Sequence, residues 1–408
     1  MDFETIPGLA DFTKQFDDFF REEMKKAPPR WESATDGMTN TPEGLAFARN
    51  MSRELGKRGW LAMGWPEKYG GSKKSVFEQF AFSNSMTYWK APGVNPFGLL
   101  ILAPILLAIG TEEQKERFLP PIARGEIWWA QLWSEPDAGS DLAAVQTFAE
   151  RDGDYYIING HKTWTSYAHH CEWAHALVRT SRELKRSRGL TFLMLDMKSP
   201  GITMHLRPEM YSHGKVEAHF NDVFLDDVKV PVANRIGEEN DGWRVVRYAG
   251  IFHRGEVARL GVLKRELSEL INFCKEMKWQ GEPLAKNPLV RQRLAQIAVA
   301  IEAGLAIGKH SLWGQHKLVL GEPVDAVENN VRSSSLKYGT NELYQHLIYT
   351  GCQIMGLYSQ LKSESKWAPL YGRYEHEYQV CLGHNQGGGS TEIQKNIIAW
   401  EGLGLPRT

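Results

Sequence analysis

The stretch DYYIINGHKTWTS, Asp154–Ser166, decides how the chain is read. It is rich in β-branched and aromatic residues and follows a DGD turn at Asp152–Asp154. Four runs of the same character surround it: WWAQLWSE (Trp128–Glu135), WAHALVRT (Trp173–Thr180), LTFLMLD (Leu190–Asp196) and HFNDVFLDDVKV (His219–Val230). Gly, Pro, Asp and Asn separate them at near-regular spacing. That pattern predicts a β-sandwich or barrel.

Outward from this centre the period changes. Before Trp128 the chain reads as helix. Phe12, Phe16, Phe19 and Phe20 recur at helical spacing, and GTEEQKERFLPPIARGE predicts a charged helix ending at Pro120–Pro121. After about Asn240 apolar residues again recur at three and four, with helices expected over Pro288–Leu320, Pro323–Leu357 and Ser390–Trp400. The expected class is therefore α+β, with an N-terminal helical domain over 1–125, a central β domain over 126–238 and a C-terminal helical bundle over 239–408.

Composition excludes several functions. The 408 residues are 42% hydrophobic and 24% charged, which is globular. The net charge of -1, from 48 basic and 49 acidic residues, argues against nucleic acid as a partner. Cys171, Cys274, Cys352 and Cys381 lie far apart and form no CxxC pair, so neither a disulfide framework nor a bound metal is expected. The apolar run Pro96–Gly110 is shorter than the roughly 20 residues of a membrane span and reads as a buried helix pair. The N-terminal MDFETIPGLADF lacks a signal-peptide apolar core. A soluble, cytoplasmic protein is expected.

Three segments offer chemistry. In LWSEPDAGSDLAAV, Glu135-Pro136 turns the chain and small residues let backbone N–H groups approach a polar ligand, although an ordinary Asx loop has the same pattern. In GHKTWTSYAHHCEW, Trp164 sits beside Thr165 and Ser166, a flat ring among hydroxyls that suits a planar heterocycle, or alternatively a core tryptophan. In HNQGGGSTEIQKNIIAW, Gly387–Gly389 precede Ser390, an N-cap whose helix start can hold a carbonyl or phosphate, or which is simply a hinge. Neither a GxGxxG nor a Walker motif is present, which disfavours a nicotinamide Rossmann domain and a P-loop enzyme.

Together with GWPEKYGG (Gly64–Gly71), FNDVFLDDVKVP (Phe220–Pro231) and IGEENDGWRVV (Ile236–Val246), these segments resemble the acyl-CoA dehydrogenase family, in order and over nearly the whole chain. The resemblance implies FAD as cofactor and an acyl-CoA substrate. It implies an electron-transfer acceptor if the reaction is oxidative, and a homotetramer or a heteromer with a related subunit. By motif, Gln131, Trp133 and Ser134 line the flavin ring, with Trp164 and Ser166 on its other side. Gly139 and Ser140 lie by the flavin, Ser140 also near the pantetheine arm, and Arg254 and Gly388 near the substrate. Gln353 and Gly356 match part of a run that meets the adenine end of a neighbour's FAD. Leu357 and Ser359 replace its later glycines, and Met277 stands where an arginine is usual.

The usual catalytic carboxylate is missing. One family position for it holds Gly388; the other, in FHRG, holds His253. Three readings follow. His253 is the base, neutral near pH 7 beside Arg254, since histidine titrates near 6.5 and a neighbouring cation lowers that value. Or another carboxylate such as Glu256 serves. Or the protein runs a non-oxidising, decarboxylating or lyase-type reaction, or is the partner subunit of a heteromer. The branch with such motifs acts on branched, cyclic or steroid-derived esters. Tyr88, Trp89 and Lys90 fall near the acyl pocket, though packing explains them as well. Tyr211, His213 and His219 are candidates for contact with a substrate carboxylate.

Overall fold

The computed structural model describes residues 8–34, 41–184, 186–210, 218–253, 259–319 and 322–407, with the backbone alone at 249–253, 315, 318, 319 and 326. Arg254, Glu256, Tyr211 and His213 lie outside the described residues. The helices are α1 Leu9–Met24, α2 Pro42–Lys57, α3 Val76–Tyr88, α4 Ala103–Ile109, α5 Glu112–Ala123, α6 Gly242–His253, α7 Arg259–Glu276, α8 Pro288–Val319, α9 Ala326–Met355, α10 Arg373–His384 and α11 Thr391–Ile397. The main strands are β1 Trp129–Leu132, β2 Phe148–Asp152, β3 Tyr155–Ser166, β4 Trp173–Arg179, β5 Leu190–Asp196, β6 Ile202–Leu206, β7 Phe220–Pro231 and β8 Arg235–Ile236.

The chain forms two compact units. One comprises Met1–Phe47, Lys74–Pro92 and Arg254–Thr408; the other comprises Ala48–Lys73 and Gly93–His253. The N-terminal helical third is therefore divided between them. No described helix is long and apolar enough to cross a membrane.

The β-containing unit carries one eight-stranded sheet in the order β6-β7-β3-β2-β4-β5-β8, with β1 added to β4 in parallel. Trp129, Leu132, Ile158, Phe192, Leu193 and Val223 are buried at its centre. The apolar run after Pro96 is a helical turn over Phe97–Leu102 leading into α4, with Ile101, Leu102, Ile105 and Leu106 buried. One expectation needs correction: α5 does not stop at its prolines but runs to Ala123. Pro120 and Pro121 lack N–H donors, yet their carbonyls accept the closing bonds from Arg124 and Glu126, both at 3.0 Å.

The helical unit packs α7, α8, α9 and α10 around Leu260, Leu270, Ile297, Leu336, Leu347 and Tyr374. The helix α10 had no counterpart among the expected helices. Next to this apolar core lies a cluster of six charges, of which Lys90, Glu266 and Arg373 are buried. Lys90 Nζ, its side chain fully buried, meets Glu32 at 2.9 Å and Glu266 at 3.0 Å. Arg373 reaches Glu266 at 3.0 Å and also pairs with Glu269, and Arg265 meets Glu269 at 2.5 Å. Trp31 Nε1 donates to the Lys90 carbonyl at 2.9 Å. Three cations and three carboxylates thus tie the turn at Trp31–Ser33, the end of α3, α7 and the start of α10 into one body.

Lys90 therefore belongs to the packing of this unit. Trp89 Nε1 donates to Asp17 at 3.1 Å, and the Arg265 guanidinium lies 5.6 Å from the centre of the Tyr88 ring.

Removing one member strands the others without compensation in a low-dielectric interior. Glu266→Gln is expected to destabilise the protein by about 3 kcal/mol, read as a lower urea midpoint. An unchanged midpoint would contradict the network's structural role.

Candidate functional site

The β-domain candidates are assembled by one buried lysine. Along β3 the inward face carries Tyr156, Ile158 and Lys162, so the sheet's period of two carries a cation into the core. Lys162 is fully buried, and its three donors are all satisfied. They go to Glu135 Oε1 at 2.8 Å, the Trp133 carbonyl at 3.0 Å and the Leu177 carbonyl at 2.7 Å. Glu135 is 8% exposed and also accepts from the backbone N–H groups of Gln146 (2.6 Å) and Thr147 (2.8 Å).

Burial alone would raise the Glu135 carboxyl, but the Lys162 charge and these hydrogen bonds outweigh it and hold it below the ordinary carboxylate range. Burial pulls Lys162 down to about 8, against the attraction of Glu135. Both groups are charged at pH 7.

This pair joins the two motifs that sequence placed side by side only by resemblance. Thr163 N–H donates to the Ser134 carbonyl at 3.0 Å, locking the end of β1 onto β3. Trp133 and Ser134 are half-buried there, and Gln131, in β1, is half-buried opposite His175 of β4. The turn beyond closes by paired backbone bonds between Glu135 and Ala138 at 3.0 and 3.1 Å, leaving Gly139 and Ser140 exposed.

Trp164 is presented by a β-bulge. Lys162 pairs with Val223 and Thr165 with Asn221, so three steps on β3 face two on β7. The bulge puts Trp164 at φ 57, a left-handed conformation that costs a non-glycine residue about 1–3 kcal/mol. It also turns the ring outward: Trp164 is 55% exposed while Thr163 and Thr165 are buried. The ring meets Phe220 edge-on at 5.4 Å, and the Arg207 guanidinium lies 4.6 Å from its centre. Asp222 steadies this edge by accepting from Thr163 Oγ1 at 2.5 Å. Ser166, half-buried, ends β3.

The donor set fits a flavin ring on this unit: an exposed strained indole, a half-buried indole and hydroxyls at the adjoining ends of two strands. When present, FAD would be held here by Gln131, Trp133, Ser134, Trp164 and Ser166.

The remaining candidates lie in the helical unit. Gln353 Oε1 accepts from Arg293 at 2.8 Å, and Gly356 closes α9 at φ 60. Leu357, 79% exposed, and Ser359, 8% exposed, stand where glycines were expected, and Tyr358 between them is 58% exposed. Gly388 and Gly389 have φ of 67° and 87°. Buried Lys337 pins the carbonyls of this turn, donating to Gly389 at 3.0 Å and to Gly387. Ser390 Oγ accepts from Ile393 N–H and caps α11. His253 is the last residue of α6, and its side chain lies outside the described set, as does the whole of Arg254. His219 is paired with Glu209 at 2.9 Å.

Sequence reasoning missed Glu135, Lys162 and His175. A lysine in register with the inward Tyr156 and Ile158 was the available signal, because a buried ammonium demands a carboxylate.

Comparison with known proteins places this arrangement. Family models match residues 9–126 (acyl-CoA dehydrogenase, N-terminal domain), 130–228 (middle domain) and 240–403 (C-terminal domain). The chain belongs to the acyl-CoA dehydrogenase family, whose members are FAD-dependent oxidoreductases acting on acyl-CoA. It is 34% identical to acyl-CoA dehydrogenase IpdE1 of Mycobacterium tuberculosis over 369 residues, 90% of each chain. Among solved structures it is similar to the ChsE4-ChsE5 complex of M. tuberculosis, at 30% identity and TM-score 0.86 over 100% of both chains. It is similar also to the Tcur3481-Tcur3483 steroid acyl-CoA dehydrogenase, at 25% identity and TM-score 0.86 over 100% of both chains.

The Glu135–Lys162 pair sets a pH dependence. A carboxyl lowered by folding adds stability above its unfolded value, about 4.3, and loses it as pH falls through the lower folded value. Glu135→Gln is expected to cost about 3 kcal/mol at pH 7. The difference from wild type should shrink below about pH 4, where the wild-type carboxylate itself takes a proton. Chemical unfolding at pH 7 and pH 3 checks this, and a pH-independent difference would contradict it.

Proposed function

We propose that this chain is an FAD-dependent acyl-CoA dehydrogenase with a non-standard base, acting on a CoA thioester whose acyl group is cyclic, branched or carboxylated. The observation that carries the proposal is the backbone at Gly388, where the family's carboxylate would stand, and at Gly389 after it. Both residues are left-handed, a conformation that disfavours any residue with a Cβ. The turn is shaped for glycine, so a carboxylate there is not simply replaced in place, and the base is sought elsewhere. His253, at the end of α6 and next to Arg254, is the residue proposed to take the α-proton. Arg254 is proposed to sit near the thioester, and Ser140 near the pantetheine arm. When bound, FAD supplies the hydride acceptor. An electron-transfer acceptor then completes an oxidative cycle.

A cyclic acyl group is supported by the likeness to a protein described as a steroid acyl-CoA dehydrogenase. The four free cysteines agree with a reducing cytoplasmic setting.

A second reading has its own observation. Leu357 and Tyr358 project into solvent beside Gln353, and exposed Met277 replaces the expected arginine. A chain built this way is poorly suited to hold the adenine end of a copy's FAD. That favours assembly with a related subunit, in line with the paired ChsE4-ChsE5 and Tcur3481-Tcur3483 structures. In such an assembly a redox-neutral role for this chain stays open.

Anaerobic mixing with alicyclic and dicarboxylic acyl-CoA esters tests the first reading. Wild type is expected to lose its oxidised flavin band. His253→Ala is expected to do so about 10²- to 10⁴-fold more slowly, the usual loss for a general base, with its FAD content unchanged. Wild-type rates in His253→Ala would sink the histidine assignment. Bound flavin that stays oxidised with every ester would favour the second reading.

A further inference from the structure

His175 is a buried titratable group that the proposed chemistry does not use. It lies in β4, directly across from Gln131 of β1, and is fully buried. Its ring stacks on Phe192 at 5.4 Å with 14° between the planes. The Trp133 indole N–H points to its Nδ1 at 3.0 Å. An indole nitrogen only donates, so Nδ1 is the acceptor and the imidazole proton is on Nε2. A Phe97 backbone group lies near the ring, and Nε2 makes no hydrogen bond of ordinary geometry.

A histidine kept in an apolar layer with one nitrogen poorly satisfied calls for a reason, because a phenylalanine would pack there without that penalty. The Trp133 indole supplies the reason.

We propose that His175 is a positioning residue which, through its Nδ1, fixes the orientation of the Trp133 indole on the flavin-binding face. The inference rests on the reading of Trp133 as a flavin contact. Trp133 is gripped twice: Lys162 holds its carbonyl and His175 holds its ring. The two grips come from different strands, β3 and β4. Rotation about χ1 or χ2 breaks the indole bond and leaves Nδ1 buried and unpaired. Burial pushes the imidazole down to about 3, so the acceptor stays neutral and competent at working pH.

The test is a double-mutant cycle on full-length protein, with FAD affinity and the bound-flavin absorption band as readouts. Trp133→Phe and His175→Leu are each expected to weaken FAD binding about fivefold, the equivalent of one neutral hydrogen bond, and to shift the band alike. The double variant is expected to be no weaker than the worse single one. His175→Asn, which keeps an acceptor near Nδ1, is expected to recover most of the affinity. His175→Phe, which packs but has no acceptor, replaces His175→Leu in the cycle if that variant does not fold.

Multiplying losses in the double variant, or equal losses in His175→Asn and His175→Leu, would overturn the positioning role. So would a weakened Trp133→Phe beside a wild-type His175→Leu. An unaffected Trp133→Phe would overturn the reading of Trp133 as a flavin contact instead.

Discussion

The Lys162 ammonium is the constraint on which the β domain depends. It is fully buried, and burial of a cation is tolerated only with a charge partner and complete hydrogen bonding. Its three acceptors come from the turn after β1 and from β4, while the lysine itself is on β3. Three segments distant in sequence are therefore held in one register. Trp133, Ser134, Trp164 and Ser166 owe their common placement to this junction, since all lie within a few residues of the groups it binds. The same need explains why the SEP turn and the HKTW strand occur together: each leaves an unpaired buried charge without the other.

The helical unit solves a similar problem with more charges. Its six-residue cluster leaves no net charge, and it joins Glu32 to Arg373 across most of the chain's length. Lys337 applies a gentler version of the device to the Gly387–Gly389 turn, where the acceptors are carbonyls. A backbone with successive left-handed glycines needs such an external hold, because glycine itself restrains little. The turn is thus ordered without presenting a carboxylate, the feature on which the proposal of a non-standard base rests.

Much of this was legible in the sequence, for definite reasons. The β-branched and aromatic runs between turn residues and the period of three and four after Asn240 expose the β core and the helices, because each pattern follows from how the element is buried. The SEP and HKTW segments were set side by side by resemblance, and the structure brings them together through Lys162. What escaped was tertiary. Trp133 and His175 are 42 residues apart and Glu135 and Lys162 are 27 apart, and no local rule couples them. The bulge at Trp164 was hidden because its extra residue is visible only against the β7 register. Pro120 and Pro121 misled because prolines near a helix end remove donors but still supply acceptors.

The central claim is that a buried Lys162 assembles the surface proposed to take the flavin. The most direct test is the FAD dissociation constant of Lys162→Met, measured by flavin fluorescence alongside the unfolding of the protein. A methionine keeps the length and loses the charge, which leaves Glu135 unpaired and frees the Trp133 and Leu177 carbonyls. The account predicts FAD binding at least about tenfold weaker than wild type in a protein that is still folded. Wild-type affinity for FAD in that variant would contradict it.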